Sequence, residues 1–221
     1  MNPKLAIAQK ALLYLQERLA PDTILGLGSG STVEQFIHLL AAFLHDHHHA
    51  RIQCVVTSWQ TRLLILQYSS FFIEVPLWSV NSIDIAIDGA DSILPKDYLV
   101  IKGGGAALLQ EKLVALIAQS FVIVAEAGKR VQNNNCVPIE VLPLALKAVE
   151  GQLGKRALNV QLRVCSGGKV GPIVTDNGNF IVDAFFERVD AELALWLKGI
   201  TGVIEHGIFQ IPYTLITEAN D

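Results

Sequence analysis

The chain has 221 residues, 51% of them hydrophobic and 17% charged, with a formal net charge of −4 at pH 7. That length holds one large domain or two small ones, and the apolar content supports a well-buried core and excludes intrinsic disorder. A mildly acidic chain with no basic run is a poor match for sequence-independent nucleic-acid binding, so no nucleic-acid partner is expected.

In chain order, KLAIAQKALLYLQERL (4–19) carries apolar residues at helical spacing, and Pro21-Asp22 stops that helix. Nothing in MNPKLAIAQK resembles a signal peptide. TILGLG (23–28) is a short buried strand running into a glycine-rich turn, and VEQFIHLLAAFLH (33–45) is the helix after it. IQCVVTS and WQTRLLILQYS repeat the strand–helix pair, and FIEVPL, SIDIAI and YLVIK follow as strands. A GGG turn, the apolar helix ALLQEKLVALIAQS and the strand FVIVAE close this half. The longest apolar stretch, 113–127, is broken by Gln119, Ser120 and Glu126 and falls short of the roughly 20 residues a bilayer span needs. No membrane partner is therefore expected.

After Lys129-Arg130 the pattern changes. NNNCVP reads as a connector, and the elements PIEVLP, LALKAVEGQL, LNVQLRVC, NFIVDAFF, DAELALWLKGI and GVIEHGIF run βαββαβ. Asp176-Asn177-Gly178 is a hairpin-turn signal. The expected fold class is α/β: a Rossmann-like parallel-sheet domain, residues 1–132 with 207–221, plus a smaller ferredoxin-like α+β domain, 133–206. YTLIT (213–217) is read as a strand returning to the first domain. Cys54, Cys136 and Cys165 form no CxxC pair, so neither a disulfide framework nor a zinc site is expected, and a reducing cytoplasm is the natural setting. HDHHHA (45–50) places four histidines in five positions and is read as a solvated loop; metal binding is the alternative. Trp78 and Trp196 fit a core or an interface.

In parallel sheets the ligand crevice lies at the carboxyl ends of the strands, and here each polar or glycine-rich cluster follows a strand. GLGSGST (26–32) lets backbone N–H groups and a helix N-terminus approach an anion, with Ser31 and Thr32 adding hydroxyls; on its own it serves a phosphate site and a tight turn equally well. It lacks the lysine of a Walker loop, and Ser31 stands where GxGxxG has its third glycine. DGAD sets Asp88 and Asp91 around Gly89 and Ala90, a pair suited to exchanging protons with hydroxyls, to holding a divalent cation, or to making a plain Asp-Gly turn. KGGGAALLQEK places Lys102 at a strand end, Gly103, Gly104 and Gly105 in a turn, and Glu111 about two turns into a helix. Glu111 is either an exposed helix residue or, withdrawn from water, a general base. An anion loop, a carboxylate pair, a lysine and a glutamate without a cofactor fingerprint suit proton abstraction beside a carbonyl in a phosphorylated substrate.

GLGSGST, Thr57-Ser58, DGAD, KGGGAAL–EK, AGK (127–129), VTDNGNFIVD (174–183) and GVIEHGIF (202–209) occur in the order found in type A ribose-5-phosphate isomerases, and the chain resembles that family over about 4–217. The resemblance implies interconversion of ribose 5-phosphate and ribulose 5-phosphate through an enediol, with no metal and no cofactor. It implies Glu111 as the base; Asp88 and Asp91 for ring opening and the hydroxyls; Lys102 against enediolate charge; Ser29, Gly30, Ser31 and Thr32 as the substrate loop; and Lys129 at the phosphate. It also implies a homodimer or a dimer of dimers. This chain departs from the family pattern at Ser92, where a Glu is usual, and at Gly128, where a Ser is usual. It departs again at Ala8, where many members carry a phosphate-holding lysine; Lys4 and Lys10 are nearby, and the sequence assigns that role to neither. Two other readings compete: a phosphosugar sensor of the same fold, which lacks a helix-turn-helix here, and a nucleotide-binding oxidoreductase. The latter expects an acidic residue where Thr57-Ser58 stands.

Overall fold

A computed structural model describes residues 2–47, 51–94, 98–131, 135–168 and 170–219. The chain forms two compact units, Met1–Ala90 with Gln110–Lys129 and Ile211–Asp221, and Asp91–Leu109 with Arg130–Gln210.

In the first unit, helix α1 (Pro3–Gln16) starts at Asn2, whose side chain accepts from the Lys4 N–H, with Pro3 in the first turn. It buries Ile7, Ala8, Ala11 and Leu15 along one stripe. Strand β1 (Ile24–Leu27) leads through the glycine loop into α2 (Ser31–Asp46), and β2 (Ile52–Val56) leads through Ser58, whose hydroxyl caps the next helix, into α3 (Trp59–Gln67). Strands β3 (Phe72–Glu74) and β4 (Ile83–Asp88) follow.

Strand β5 (Ser92–Leu94) and β6 (Leu99–Ile101) precede α4 (Leu108–Ile117) and β7 (Ala118–Val124). The helix expected over 107–120 ends three residues early, because Ala118, Gln119 and Ser120 already belong to a strand that pairs with β4. The tail strand, β13 (Thr214–Ile216), runs parallel beside β7, and the six-stranded parallel sheet has the order β13-β7-β4-β1-β2-β3. The direction of strand progression reverses between β1 and β4, the switch point at which α/β sheets open a crevice. The core includes Leu25, Leu27, Phe36, Ile37, Leu40, Leu44, Ile85, Ile87 and Val122. Full burial of one such leucine or isoleucine contributes about 1.5–3 kcal/mol. Cys54 sits in this core, where burial and then Glu74 push its thiol up to about 12, so it stays protonated and inert at neutral pH.

The second unit carries the βαββαβ order expected from sequence: β8 (Cys136–Val141), α5 (Leu146–Leu153), β9 (Asn159–Leu162), β10 (Phe180–Phe185), α6 (Ala191–Lys198) and β11 (Val203–His206). The antiparallel sheet order is β11-β8-β10-β9. Val149, Leu153, Leu193 and Leu197 from the helices share one core with Val137, Ile139, Val141, Val182 and Ala184 from the strands. The α/β fold class read from sequence, with a parallel sheet and a ferredoxin-like sheet, is thus the fold observed.

Two strands differ from the sequence reading. YLVIK, expected beside the parallel strands, pairs as β6 with β5 and with β12 (Ile208–Phe209) in a separate three-stranded sheet. GVIEHGIF, expected as one strand, is β11 and β12 broken at Gly207. The Gly207 N–H donates to the Pro138 carbonyl at 2.7 Å and its carbonyl accepts from the Lys102 N–H at 2.9 Å. A Cβ at 207 would lie 2.1 Å from the Lys102 carbonyl oxygen, so only glycine fits this crossing. Trp78 is 88% exposed rather than core, whereas Trp196 packs edge-on against Phe186. Of the histidine cluster, His45 pairs with Asp46 and His47 bonds the Phe43 carbonyl; His48 and His49 lie outside the described residues. No helix among the described residues is long and apolar enough to cross a membrane.

Candidate active site

The first unit gathers its functional groups at the carboxyl ends of β1 and β4. Asp88 is the last residue of β4 and is 2% exposed. Its Oδ1 accepts from the Gly89 N–H at 2.7 Å and from the Ser29 N–H at 3.2 Å. Backbone donors of this kind stabilise a carboxylate that would otherwise be costly to bury. Gly28 makes the approach possible, since a Cβ there would sit 2.0 Å from Asp88 Oδ1. The sequence reading places Gly28 in the glycine-rich turn 26–32 but starts the substrate loop at Ser29 and gives Gly28 no role of its own; the signal is the glycine directly after a buried strand.

Helix α4 brings Glu111 to the same loop, and Ser29 Oγ donates to Glu111 Oε1 at 2.8 Å. Glu111 is only 5% exposed, which decides between the two sequence readings in favour of a withdrawn carboxylate. Asp88, Gly89, Ser29 and Glu111 therefore form one connected cluster. The loop is fixed from below by α3: Thr61 Oγ1 donates to the Gly28 carbonyl at 2.6 Å, and Gln60 Oε1 accepts from the Gly30 N–H at 3.3 Å. Gly30 has φ +93, a conformation that favours glycine, and hands the chain to Ser31 and Thr32 in the first turn of α2. That turn points backbone N–H groups and the positive end of the helix dipole outward, as an anion requires.

Lys4 reaches this turn, with Nζ donating to Ser31 Oγ at 2.8 Å. Ala8, the position at which family spacing places a lysine, is fully buried one helical turn away. Lys10 turns elsewhere and donates to the Thr217, Glu218 and Ala219 carbonyls. Lys129 is exposed on a 3-10 turn, Ala127–Lys129, whose first N–H is held by both Glu218 carboxylate oxygens at 2.9 and 3.1 Å. At Gly128 an added Cβ would meet nothing within 4 Å.

The second unit holds the rest of the expected set. The chain enters it at Asp91, after Ala90. Asp91 Oδ2 accepts from the Gly104 N–H at 2.7 Å, and the Asp91 N–H donates to Ile101. Lys102 is 3% exposed and its ammonium lies 5.8 Å from the centre of the Phe209 ring. Gly103 has φ +106, and a Cβ there would press on Leu108 at 2.8 Å; Gly104 and Gly105 are exposed. Ser92, where the family usually has Glu, is a buried residue of β5.

Asp88 and Glu111 are thus buried carboxylates near a helix N-terminus at a sheet switch point, the arrangement of an α/β enzyme site and one suited to proton transfer beside an anionic group. The family model for ribose 5-phosphate isomerase A (phosphoriboisomerase A) matches residues 53–220, and the chain belongs to that family. It is 40% identical over 210 residues to ribose-5-phosphate isomerase A of Pyrococcus horikoshii, covering 91% of this chain and 87% of that protein. It is 41% identical to the Prochlorococcus marinus enzyme, covering 87% of this chain and 84% of that one. Ribose 5-phosphate isomerase A from Methanocaldococcus jannaschii superposes with a TM-score of 0.87 at 33% identity, covering 98% of this chain and 94% of that one. A D-ribose-5-phosphate isomerase in complex with phospho-erythronic acid superposes with a TM-score of 0.88 at 38% identity, covering 97% and 94%.

Gly28→Ala tests the central packing. Forcing the Asp88 carboxylate aside by about 1 Å is expected to lower kcat/KM about 100-fold. Steady-state kinetics on protein whose circular dichroism matches wild type measures it, and an unchanged kcat/KM would show that the Gly28–Asp88 contact is not needed.

Proposed function

We propose that the chain interconverts D-ribose 5-phosphate and D-ribulose 5-phosphate, an aldose–ketose isomerisation through an enediol in the non-oxidative pentose phosphate pathway. The observation that carries this reading is Glu111, buried and bonded to the Ser29 hydroxyl in a loop whose next turn opens a helix. The family relationship supplies the substrate.

The hydrogen on C2 of the open-chain aldose is very weakly acidic, so a base needs help from charge stabilisation on oxygen. In this reading Glu111 takes the C2 proton. The electron pair moves into the C1–C2 bond and charge develops on the C1 oxygen, where the Lys102 ammonium and the Gly103–Gly105 loop stabilise it. That oxygen gains a proton, giving the enediol. The C2 hydroxyl then loses its proton as C1 takes one back from Glu111, leaving the ketose. Asp88 and Asp91 serve ring opening and the hydroxyl protons. Ser29, Gly30, Ser31 and Thr32, with Gly89 and Ala90, line the sugar phosphate, and Lys129 reaches the phosphate.

Lys4 takes the place of the first-helix lysine, a reading supported by its bond to Ser31 Oγ in the anion-facing turn. Phospho-erythronic acid, held by the relative noted above, joins a phosphate to a carboxylate, the charge pattern of a phosphorylated enediolate. No metal is needed in this scheme, since Lys102 supplies the positive charge. A cytoplasmic homodimer or dimer of dimers completes the reading; the exposed Trp59, Leu63 and Leu66 at helical spacing on α3 are a surface that assembly would cover.

The test is conversion of ribose 5-phosphate to ribulose 5-phosphate by the purified chain in EDTA, with two variants beside it. Glu111→Gln keeps the shape of the side chain and is expected to lose about 10²–10⁴-fold in kcat with an unchanged melting temperature. Near-normal turnover in that variant would remove Glu111 from the mechanism. Lys4→Ala is expected to raise KM about tenfold and leave kcat within a few-fold, the pattern of a group that holds phosphate equally in ground and transition states. An unchanged KM would return the phosphate role to other groups.

A further inference from the structure

Arg163 directly follows β9 and has no part in the scheme above. Its backbone is fixed on both sides: its N–H donates to the Ile181 carbonyl at 2.8 Å, and its carbonyl accepts from the Ile173 N–H at 2.9 Å. Its guanidinium forms a two-pronged pair with Asp183 of β10, Nε to Oδ2 at 2.8 Å and Nη2 to Oδ1. The two side chains are 17% and 19% exposed. The remaining prong, Nη1, donates to two successive carbonyls of the glycine turn, Gly103 at 2.8 Å and Gly104 at 3.1 Å.

That bonding pattern orients the turn. In a trans peptide the C=O and the N–H point in opposite directions. Drawing the Gly103 and Gly104 carbonyls toward one cation therefore directs the N–H groups of Gly104 and Gly105 to the opposite side. The first of these N–H groups is found on Asp91 Oδ2. Within the turn the Gly103 carbonyl also accepts from the Ala106 N–H at 3.0 Å; glycines tolerate several peptide orientations, so an external brace adds to that bond in setting which way the dipoles face. A planar guanidinium anchored by a carboxylate is suited to this, because its prongs have fixed directions, whereas a lysine ammonium is a point charge on a flexible stem. Asp183 holds the fork, and the strand pairing places it: Asp183 pairs with Gln161 on β9, two residues before Arg163, so the two side chains are diagonal neighbours on one face of the sheet.

We propose that Arg163, anchored by Asp183, is a positioning residue for the isomerisation, turning the Gly103–Gly104 carbonyls inward so that the Gly104 and Gly105 N–H groups face Asp91 and the oxygen that becomes negative. The proposal rests on the isomerase reading and adds a residue outside the reacting set. Arg163 touches no reacting atom in this account; it acts through the loop.

Arg163→Lys, which keeps the charge and removes the fork, and Asp183→Asn, which keeps the size and weakens the anchor, are compared with wild type. Each is expected to lower kcat about 10- to 100-fold with KM within about threefold, because oriented donors act on charge that exists only in the transition state. The amide resonances of Gly104 and Gly105 in unliganded protein are expected to shift in both variants, a readout independent of turnover. A kcat within twofold of wild type, with or without a lowered melting temperature, would overturn the proposal and leave the pair as structural. So would unmoved Gly104 and Gly105 resonances. Wild-type protein that fails to turn over ribose 5-phosphate would overturn the isomerase reading itself, and the positioning role with it.

Discussion

The carboxylate of Asp88 is the constraint from which the first unit's site is built. It is buried at the end of a central parallel strand, where an ion survives only if it is matched by donors. Two backbone N–H groups on one oxygen supply that match, and one belongs to the loop after the neighbouring strand. The loop is thereby tied to the strand beside it, and the space for the tie exists because residue 28 has no side chain. Once Ser29 is held in this way its hydroxyl falls on Glu111, so the placement of a candidate base follows from the burial of a different acid.

The anion-facing end is assembled with equal economy. Gly30 bends the chain, α2 begins, and the polar groups that meet it come from elements far away in sequence: Lys4 from the first helix and Gln60 from the third. The turn carrying Lys129 is tied down by Glu218, and Lys10 gathers the carbonyls around that glutamate. The residues just after the C-terminal strand β13, 217–219, thus brace this end of the unit. In the other unit the glycine turn after Lys102 is gripped from both sides, its carbonyls by Arg163 and one N–H by Asp91.

Much of this was legible in the sequence because it is local. A buried strand, a glycine turn and a helix start are contiguous in GLGSGST, and DGAD and KGGG each sit at a strand end. The βαββαβ order could be read from alternating periods. What was not legible depends on contacts between distant residues. Three apolar residues such as Leu99, Val100 and Ile101 look alike whichever sheet they join, so the sequence pattern does not separate β6 from the parallel strands, although it pairs with β5 and β12. The break in GVIEHGIF is visible as a glycine, but its cause is a carbonyl at Lys102, about a hundred residues earlier. Counting spacing along α1 points to Ala8, yet a helix presents the same face one turn away, and Lys4 occupies it. Arg163 stands in a stretch with no motif, and only the folded sheet aligns it with Asp183 and the glycine turn.

Proton transfer between neighbouring carbons of a sugar phosphate through the buried Glu111 carboxylate, as proposed, leaves an isotopic trace. The most direct measurement is isomerisation of unlabelled ribose 5-phosphate in D2O, with both sugars examined by NMR after many turnovers. Deuterium is expected at C1 of the ketose and at C2 of the recovered aldose, since a proton held on Glu111 exchanges with solvent. Isomerisation with no deuterium in either sugar would contradict it, pointing to hydrogen that moves between the carbons without passing through a base.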